Sequence, residues 1–433
     1  GKRMSLNFSR IEPTLPGSQT LDLPRMLPVR QSFPRGAKVD TAATVQAGFA
    51  ELEINNLEGK SIAITAGSRG IKGLADIIRA AVMELKARNA QPFIVPAMGS
   101  HGGATAEGQV TVLQSLGINE AQIGAPIRSS MEVVALGSTS NGLRVFCDKL
   151  AYQADGIVIC NRIKAHTTFK GDYESGIIKM LVIGLGKHRG AIEAHNLGFD
   201  RFHEILPAAA ELVLSKTSVL CGIGLIENGY NELAAVEVIS TERIMRREIE
   251  LLKEAKRVMG RLLVDEIDIL IVDEMGKDIS GTGLDSNVTG RSSWGLPGFV
   301  APPIQRIIVR DLTPATKGNA TGIGLADFTT RICAEKIDPT PTYTNAITAH
   351  VMQSAKIPIV AENDQQALRA ALVTLRHGIP KAPLIVRIKN TKELETLWLS
   401  ETYQEFIEKS SNLEIIGEAK AVRFSRDGAL EFV

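Results

Sequence analysis

Cysteine is scarce in this chain: four residues in 433, at positions 147, 160, 221 and 333, with no Cys-x-x-Cys pair among them. That spacing argues against a zinc ribbon and predicts buried, free thiols in a reducing compartment. Surplus charge is also missing. A formal net charge of +1 removes the strongest argument for a nucleic-acid or anionic-membrane partner, while leaving room for a local basic pocket. No run of about 18 uncharged apolar residues occurs, so no membrane span is expected. The N-terminus has no basic segment followed by an apolar one, and Gly1–Arg3 ahead of Met4 reads as an expression remnant. A cytoplasmic protein is the expectation, and the Asn-x-Thr matches at Asn287 and Asn319 are then chance. Fixed-period repeats and low-complexity tracts are absent as well.

What is present is an ordinary globular composition, 44% apolar and 22% charged. A chain of this length exceeds one ordinary core, so two domains are expected. Ser61–Thr65 reads as a buried strand, broken by Gly67-Ser68-Arg69-Gly70. Ile77, Ile78, Ala81, Val82 and Leu85 then recur at helical spacing. Phe93–Pro96 is the next strand, followed by a helix from about Thr105 to Leu116, with further strands at Val133–Leu136 and Gly156–Cys160. This rhythm predicts parallel βαβ units, whose strand-end loops open on one edge of a sheet. The charged stretch Glu242–Arg261 reads as a solvated connecting helix. A second α/β pattern begins at Asp268–Val272 and continues through strands Arg306–Val309, Ile357–Val360 and Leu384–Ile388. Its helices are expected near Asp327–Ile337, Asn345–Ser354 and Gln365–Leu375. Asp427-Gly428 predicts a hairpin within Ala421–Phe432. The fold class is therefore α/β: two layered α/β domains with mostly parallel sheets, residues 1–262 and 263–433, and an active site in the cleft between them.

Only seven histidines occur, and four of them (His101, His166, His188, His195) lie in or near loops of the first half. Imidazole exchanges protons near neutrality and binds transition metals, so this clustering points to an acid–base or redox centre. His101 stands among glycines in Gly99-Ser100-His101-Gly102-Gly103, where the backbone must turn sharply or approach a ligand. His188, beside Lys187 and Arg189, reads as solvated. His195 has the spacing of a helix-surface residue. Lys179, among Ile177, Ile178, Met180 and Leu181, is either snorkelling to solvent or desolvated and reactive. The turn carrying Ser68 and Arg69 suits a phosphate, although a plain glycine-rich turn fits equally well. In the second half, the loop Asp273–Gly283 followed by Asn287–Arg291 is rich in glycine and charge. Lys277 and Arg291 there could hold a carboxylate, and Asp273 with Asp278 could form a catalytic pair.

Taken together, the Gly-Ser-His loop, the His166–Lys179–His195 segment and the Gly-Lys-Asp loop resemble the nickel-dependent lactate racemase family of 2-hydroxyacid racemases and epimerases. The resemblance implies an isomerase that uses a nickel-pincer nucleotide, a pyridinium-3-thioamide-5-thiocarboxylic acid mononucleotide carrying nickel. It implies Lys179 as the attachment lysine, with Lys170 as the alternative, and His195 as the nickel ligand. His101 and His166 become the acid–base pair, and Arg69 with Ser68 holds the cofactor phosphate. A small 2-hydroxy acid is the implied substrate, from lactate to a dicarboxylate or sugar acid, with Lys277 and Arg291 as its contacts. Cofactor-biosynthesis proteins acting in trans are the implied partners. The chain departs from the family where an acidic residue tends to precede the phosphate-binding arginine, since Thr65-Ala66-Gly67 stand there. Two other readings of the scaffold are an oxidoreductase or lyase without the pincer, and a carboxylate- or nucleotide-binding protein.

Overall fold

Alternating apolar strands and amphipathic helices build a parallel sheet in the segment 34–259, one of two compact units into which the chain divides. The structure, a computed structural model, describes residues 6–15 and 22–431. Gly1–Arg3 and Phe432 lie outside the described residues. The sheet contains β1 (Ser61–Ala66), β2 (Gln91–Pro96), β3 (Gly156–Arg162), β4 (Val219–Glu227) and β5 (Leu233–Ser240), in the order β2-β1-β3-β4-β5. The first three pairings are parallel, and β5 is antiparallel to β4. Helix α1 (Leu74–Ala87) lays Ile77, Ile78, Ala81, Val82 and Leu85 onto the sheet, where they join Ile62, Ile64, Ile94 and Val158 in one core. Helix α2 (Ala106–Ser115) begins at Thr105, whose hydroxyl accepts from the Gly108 N–H at 3.0 Å.

Parallel strands share one polarity, so their carboxyl ends coincide. Ala66 pairs with Pro96 at the ends of β1 and β2, and β3 runs in the same direction beside β1. The loops after Ala66, Pro96 and Arg162 therefore leave the same edge, as the rhythm of the sequence predicted. Val133–Ser138 is a correction to that reading. It pairs antiparallel with Arg144–Asp148 in a separate two-stranded sheet.

The other unit comprises residues 1–33 and 260–433. Its eight-stranded sheet runs in the order Ile359–Ala361, Phe328–Thr330, Ile304–Val309, Ile267–Val272, Ile385–Ile388, Thr396–Ser400, Met26–Gln31, Leu413–Ile415. The first five strands are parallel neighbours, and the last three join antiparallel. Two expectations change here. The N-terminal strand Met26–Gln31 belongs to this sheet and not to a continuous domain 1–262, because its backbone groups pair with Thr396–Ser400 and Leu413–Ile415. Asp327–Ile337 is not one helix: Phe328–Thr330 is a strand, and only Arg331–Lys336 is helical. The hairpin stands, with Arg423–Phe424 facing Leu430–Glu431 across Asp427-Gly428. All four cysteines are buried and free, with burial pushing each thiol up to about 12. Among the described residues, no helix is long and apolar enough to cross a membrane.

Candidate active site

Three strand-end loops of the 34–259 unit supply the candidate residues. Gly99 and Gly102 in the His101 loop have φ of +60° and +68°, the left-handed region that side chains avoid. The turn brings His101 Nδ1 to 2.5 Å from the Ser68 hydroxyl, which belongs to the loop after β1. Next to Ser68, the half-buried Arg69 guanidinium makes no hydrogen bond or ion pair with any described residue. Burial, and secondly the charge of Arg162, push its pKa down to about 10. A guanidinium held so, beside a second one and without a carboxylate, is arranged for an anion.

Lys179 rises from one turn of α-helix, Ile177–Lys179, that passes into a π-helical segment, Met180–Gly184. Such widened turns recur at functional sites. Ile177, Ile178, Met180 and Leu181 are buried, and Lys179 is the half-exposed member of the run. Its Nζ lies 3.0 Å from His166 Nε2. His166 Nδ1 accepts from the Thr168 N–H at 3.0 Å, so the neutral ring carries its proton on Nε2 and offers it to the amine. The amine accepts that proton only when it is itself neutral. Burial agrees on both sides of the contact. Desolvation, helped by the charge of Arg69, brings the Lys179 pKa down to about 8. His166 is held well below 6.5 by burial first, then by the cations Lys179, Lys170, Arg69 and His195.

His195 stands on α3 (Lys187–Leu197). Its half-buried ring is 5.3 Å from Phe199 and lies parallel to Phe202 at 6.0 Å, while the same Phe199 is 6.1 Å from His166. His188 is exposed, as the sequence suggested. The fold thus gathers Ser68 with His101, and Arg69, His166, Lys179 and His195 with one another.

Lys170 has another task. Its Nζ donates to the His166 carbonyl at 2.9 Å and to Glu174 at 3.1 Å. Glu174 is fully buried, accepts from the His166 N–H at 2.9 Å, and is also paired with Lys256. Lys170 therefore clamps the His166 loop, and Lys179 is the amine presented at the site.

Lys187, which the sequence pattern does not single out, is fully buried. Its Nζ donates to the Pro96 carbonyl at 2.7 Å and to Gln109 at 2.9 Å, and lies 3.3 Å from Asp148. Gln109 in turn donates to the carbonyls of Gly99 and His101 at 2.9 and 3.1 Å. This network ties the His101 loop to the start of the helix bearing His195. Lys187→Met strands the Asp148 charge in the core, and chemical denaturation should show a loss of about 3–5 kcal/mol. Only the positive φ of +56° at a non-glycine residue distinguishes Lys187, and a sequence does not display it.

The second-half candidates lie in the other unit and have intrachain partners. Arg291 pairs with Asp327 at 2.9 Å and donates to the Leu325 carbonyl, and Lys277 donates to the Gly281 carbonyl at 2.6 Å. Asp273 and Asp278 do not act as a pair. Asp273 is neutralised by Arg310 and Arg387 at 2.9 and 2.8 Å, and Asp278 accepts from the Thr313 hydroxyl.

Among the described residues, no three His, Cys, Asp or Glu side chains form a metal site. A metal beside His195 would take its remaining donors from a bound organic group. The residues fit such a group: a guanidinium with no partner among the described residues for a phosphate, an amine with its pKa brought down to about 8 for attachment, and an imidazole beside aromatic rings.

Residues 56–204 match the lactate racemase N-terminal domain. No curated protein matches the chain. Among solved structures, a Thermotoga maritima protein from a structural genomics programme superposes with a TM-score of 0.52 at 13% identity, over 84% of this chain and 99% of that one. The lactate racemase apoprotein of Thermoanaerobacterium thermosaccharolyticum gives 0.48 at 13% identity, over 84% and 94%. The segment 56–204 is thus similar to the lactate racemase N-terminal domain, and the likeness to the Thermotoga maritima structure is one of fold.

Proposed function

We propose that the protein is a 2-hydroxyacid racemase or epimerase, and that Lys179 carries a nickel-pincer nucleotide. The observation that bears most weight is the contact of Lys179 Nζ with His166 Nε2 at 3.0 Å, beside the unpaired Arg69. On this reading Arg69 and Ser68 hold the nucleotide phosphate, Lys179 supplies the covalent attachment, and His195 donates an imidazole nitrogen to nickel. When bound, the group supplies an acceptor and donor for the hydride of the substrate's C2.

The protein's own residues handle the hydroxyl proton. Inversion at C2 passes through a trigonal carbon, so a proton-exchanging group is needed on each face. His101 and His166 come from different strand-end loops and meet that need. Each ring is anchored at Nδ1, by Ser68 and by the Thr168 N–H, so exchange falls to Nε2. The Phe169, Phe199 and Phe202 cluster lies against His166 and His195 and keeps water from that side. Cofactor-making proteins acting in trans, a small 2-hydroxy acid and a cytoplasmic setting complete the proposal. It does not use Arg291, which is committed to Asp327.

The test is a chiral-chromatography screen of 2-hydroxyacids with the loaded protein. Interconversion of at least one pair of C2 epimers is expected. A loaded protein that binds such acids without inverting any would overturn the reading. Arg69 has its own test. Arg69→Ala should weaken binding of a pyridine mononucleotide by roughly 10–100-fold in calorimetry, the worth of a charge-assisted hydrogen-bond pair.

A further inference from the structure

Helix α4 (Ile244–Val258) has the charge pattern of a solvated connector, yet it buries an acid. Glu248 is 1% exposed, and among the described residues no cation pairs with it. A lone buried carboxylate is costly unless hydrogen bonds receive it. Here the donors are backbone groups of the Lys179 turn. The Glu248 carboxylate accepts from the Ile177 N–H at 2.5 Å and from the Ile178 N–H at 3.3 Å. These are first-turn groups that a helix cannot satisfy by itself. Two further contacts fix the same point. A Cβ at Gly176 would collide with the Glu248 carboxylate, so only glycine allows the acid to approach. Asn161, at the end of β3, donates to the Gly176 carbonyl at 2.8 Å.

The turn leads straight into a π-helical segment, closed by the Leu185 N–H on the Met180 carbonyl at 2.9 Å. That widened geometry needs outside support, and among the described residues Glu248 is the side chain that accepts from the Ile177 and Ile178 N–H groups of the turn leading into it. We propose that Glu248 is the positioning residue for Lys179: it caps the Ile177–Lys179 turn from α4 and fixes where the amine emerges. The inference rests on the reading of Lys179 as the reactive amine.

The test uses the full chain, expressed without cofactor-making proteins. A short pulse of formaldehyde and cyanoborohydride at pH 8 is followed by peptide mass spectrometry, with Lys179 methylation measured relative to the exposed Lys38 and Lys60. In the unaltered chain Lys179 should label faster than that pair, because more of it is neutral. If it labels more slowly, the reactive-amine reading fails and this inference falls with it. Glu248→Leu should lower the Lys179 ratio about fivefold or more, and Glu248→Gln should stay within about twofold, since its amide oxygen still accepts from Ile177. General loosening would return Lys179 toward an ordinary lysine and also expose the buried Lys187, so a fall at Lys179 matched by a rise at Lys187 overturns the proposal. A folded Glu248→Leu with an unchanged ratio overturns the proposal. If the leucine variant does not fold, Glu248→Asp replaces it: its shorter carboxylate withdraws from the turn, and an unchanged ratio there is equally decisive against the proposal.

Discussion

Co-expression with cofactor-making proteins should add one pyridine-nucleotide mass to the peptide containing Lys179, and Lys179→Ala should remove both the adduct and the activity. The expected loss is at least about 10³-fold, because the covalent anchor and everything it orients disappear together. The physical basis is the neutral fraction of the amine. With its pKa brought to about 8, roughly a quarter of Lys179 is a free nucleophile at pH 7.5, against about a thousandth for an ordinary lysine. Labelling of the unloaded protein at Lys179 should therefore rise through pH 8 and level off above it, about two units below a surface lysine. Lys170→Arg keeps a cation on Glu174 and should leave the adduct in place. An adduct found on residue 170, or on no lysine, would remove the chemical core of the proposal.

The second large effect concerns the two histidines. His101→Ala and His166→Ala should each slow interconversion by about 10²–10⁴-fold, the usual worth of a positioned acid or base. The variants should keep their adduct, which separates proton handling from attachment. The pH dependence has a definite sign. Burial and four cationic neighbours hold the His166 pKa well below 6.5, so its ring stays neutral as pH falls through 6.5. A rate that depends on neutral His166 should show no acid limb from this group between pH 8 and 6.5. If loaded His166→Ala retained full interconversion rates in both directions, His166 would have no part in the chemistry.

The loop residues were legible in the sequence because parallel strands impose a simple rule. Apolar runs ending at Ala66, Pro96 and Arg162, each followed by glycine or polar residues, place their loops on a common edge whatever the details of packing. Arg69, His101 and His166 could be nominated on that basis, with Lys179 and His195 added by resemblance. The resemblance put Lys179 first and left Lys170 as the alternative, since both lie in the segment after β3. Their surroundings separate them. Lys170 reaches a buried Glu174, while Lys179 faces an imidazole and, among the described residues, pairs with no carboxylate.

Local pattern, then, determined the α/β class, the sheet edge and the chemical types that stand there, because strand polarity and helical period are properties of neighbouring residues. Tertiary structure alone decided the remainder. Met26–Gln31 joins the sheet of the 260–433 segment, Lys187 is buried beneath the His101 loop, and Arg291 is spent on Asp327. Glu248 meets the Ile177 N–H across 71 positions of chain. The helix period shows that α4 is amphipathic, but which of its acids is drawn inward depends on what the fold sets against it. Burial and hydrogen-bond partners at such separations are set by packing, and packing turns the same carboxylate from a solvated charge into a cap.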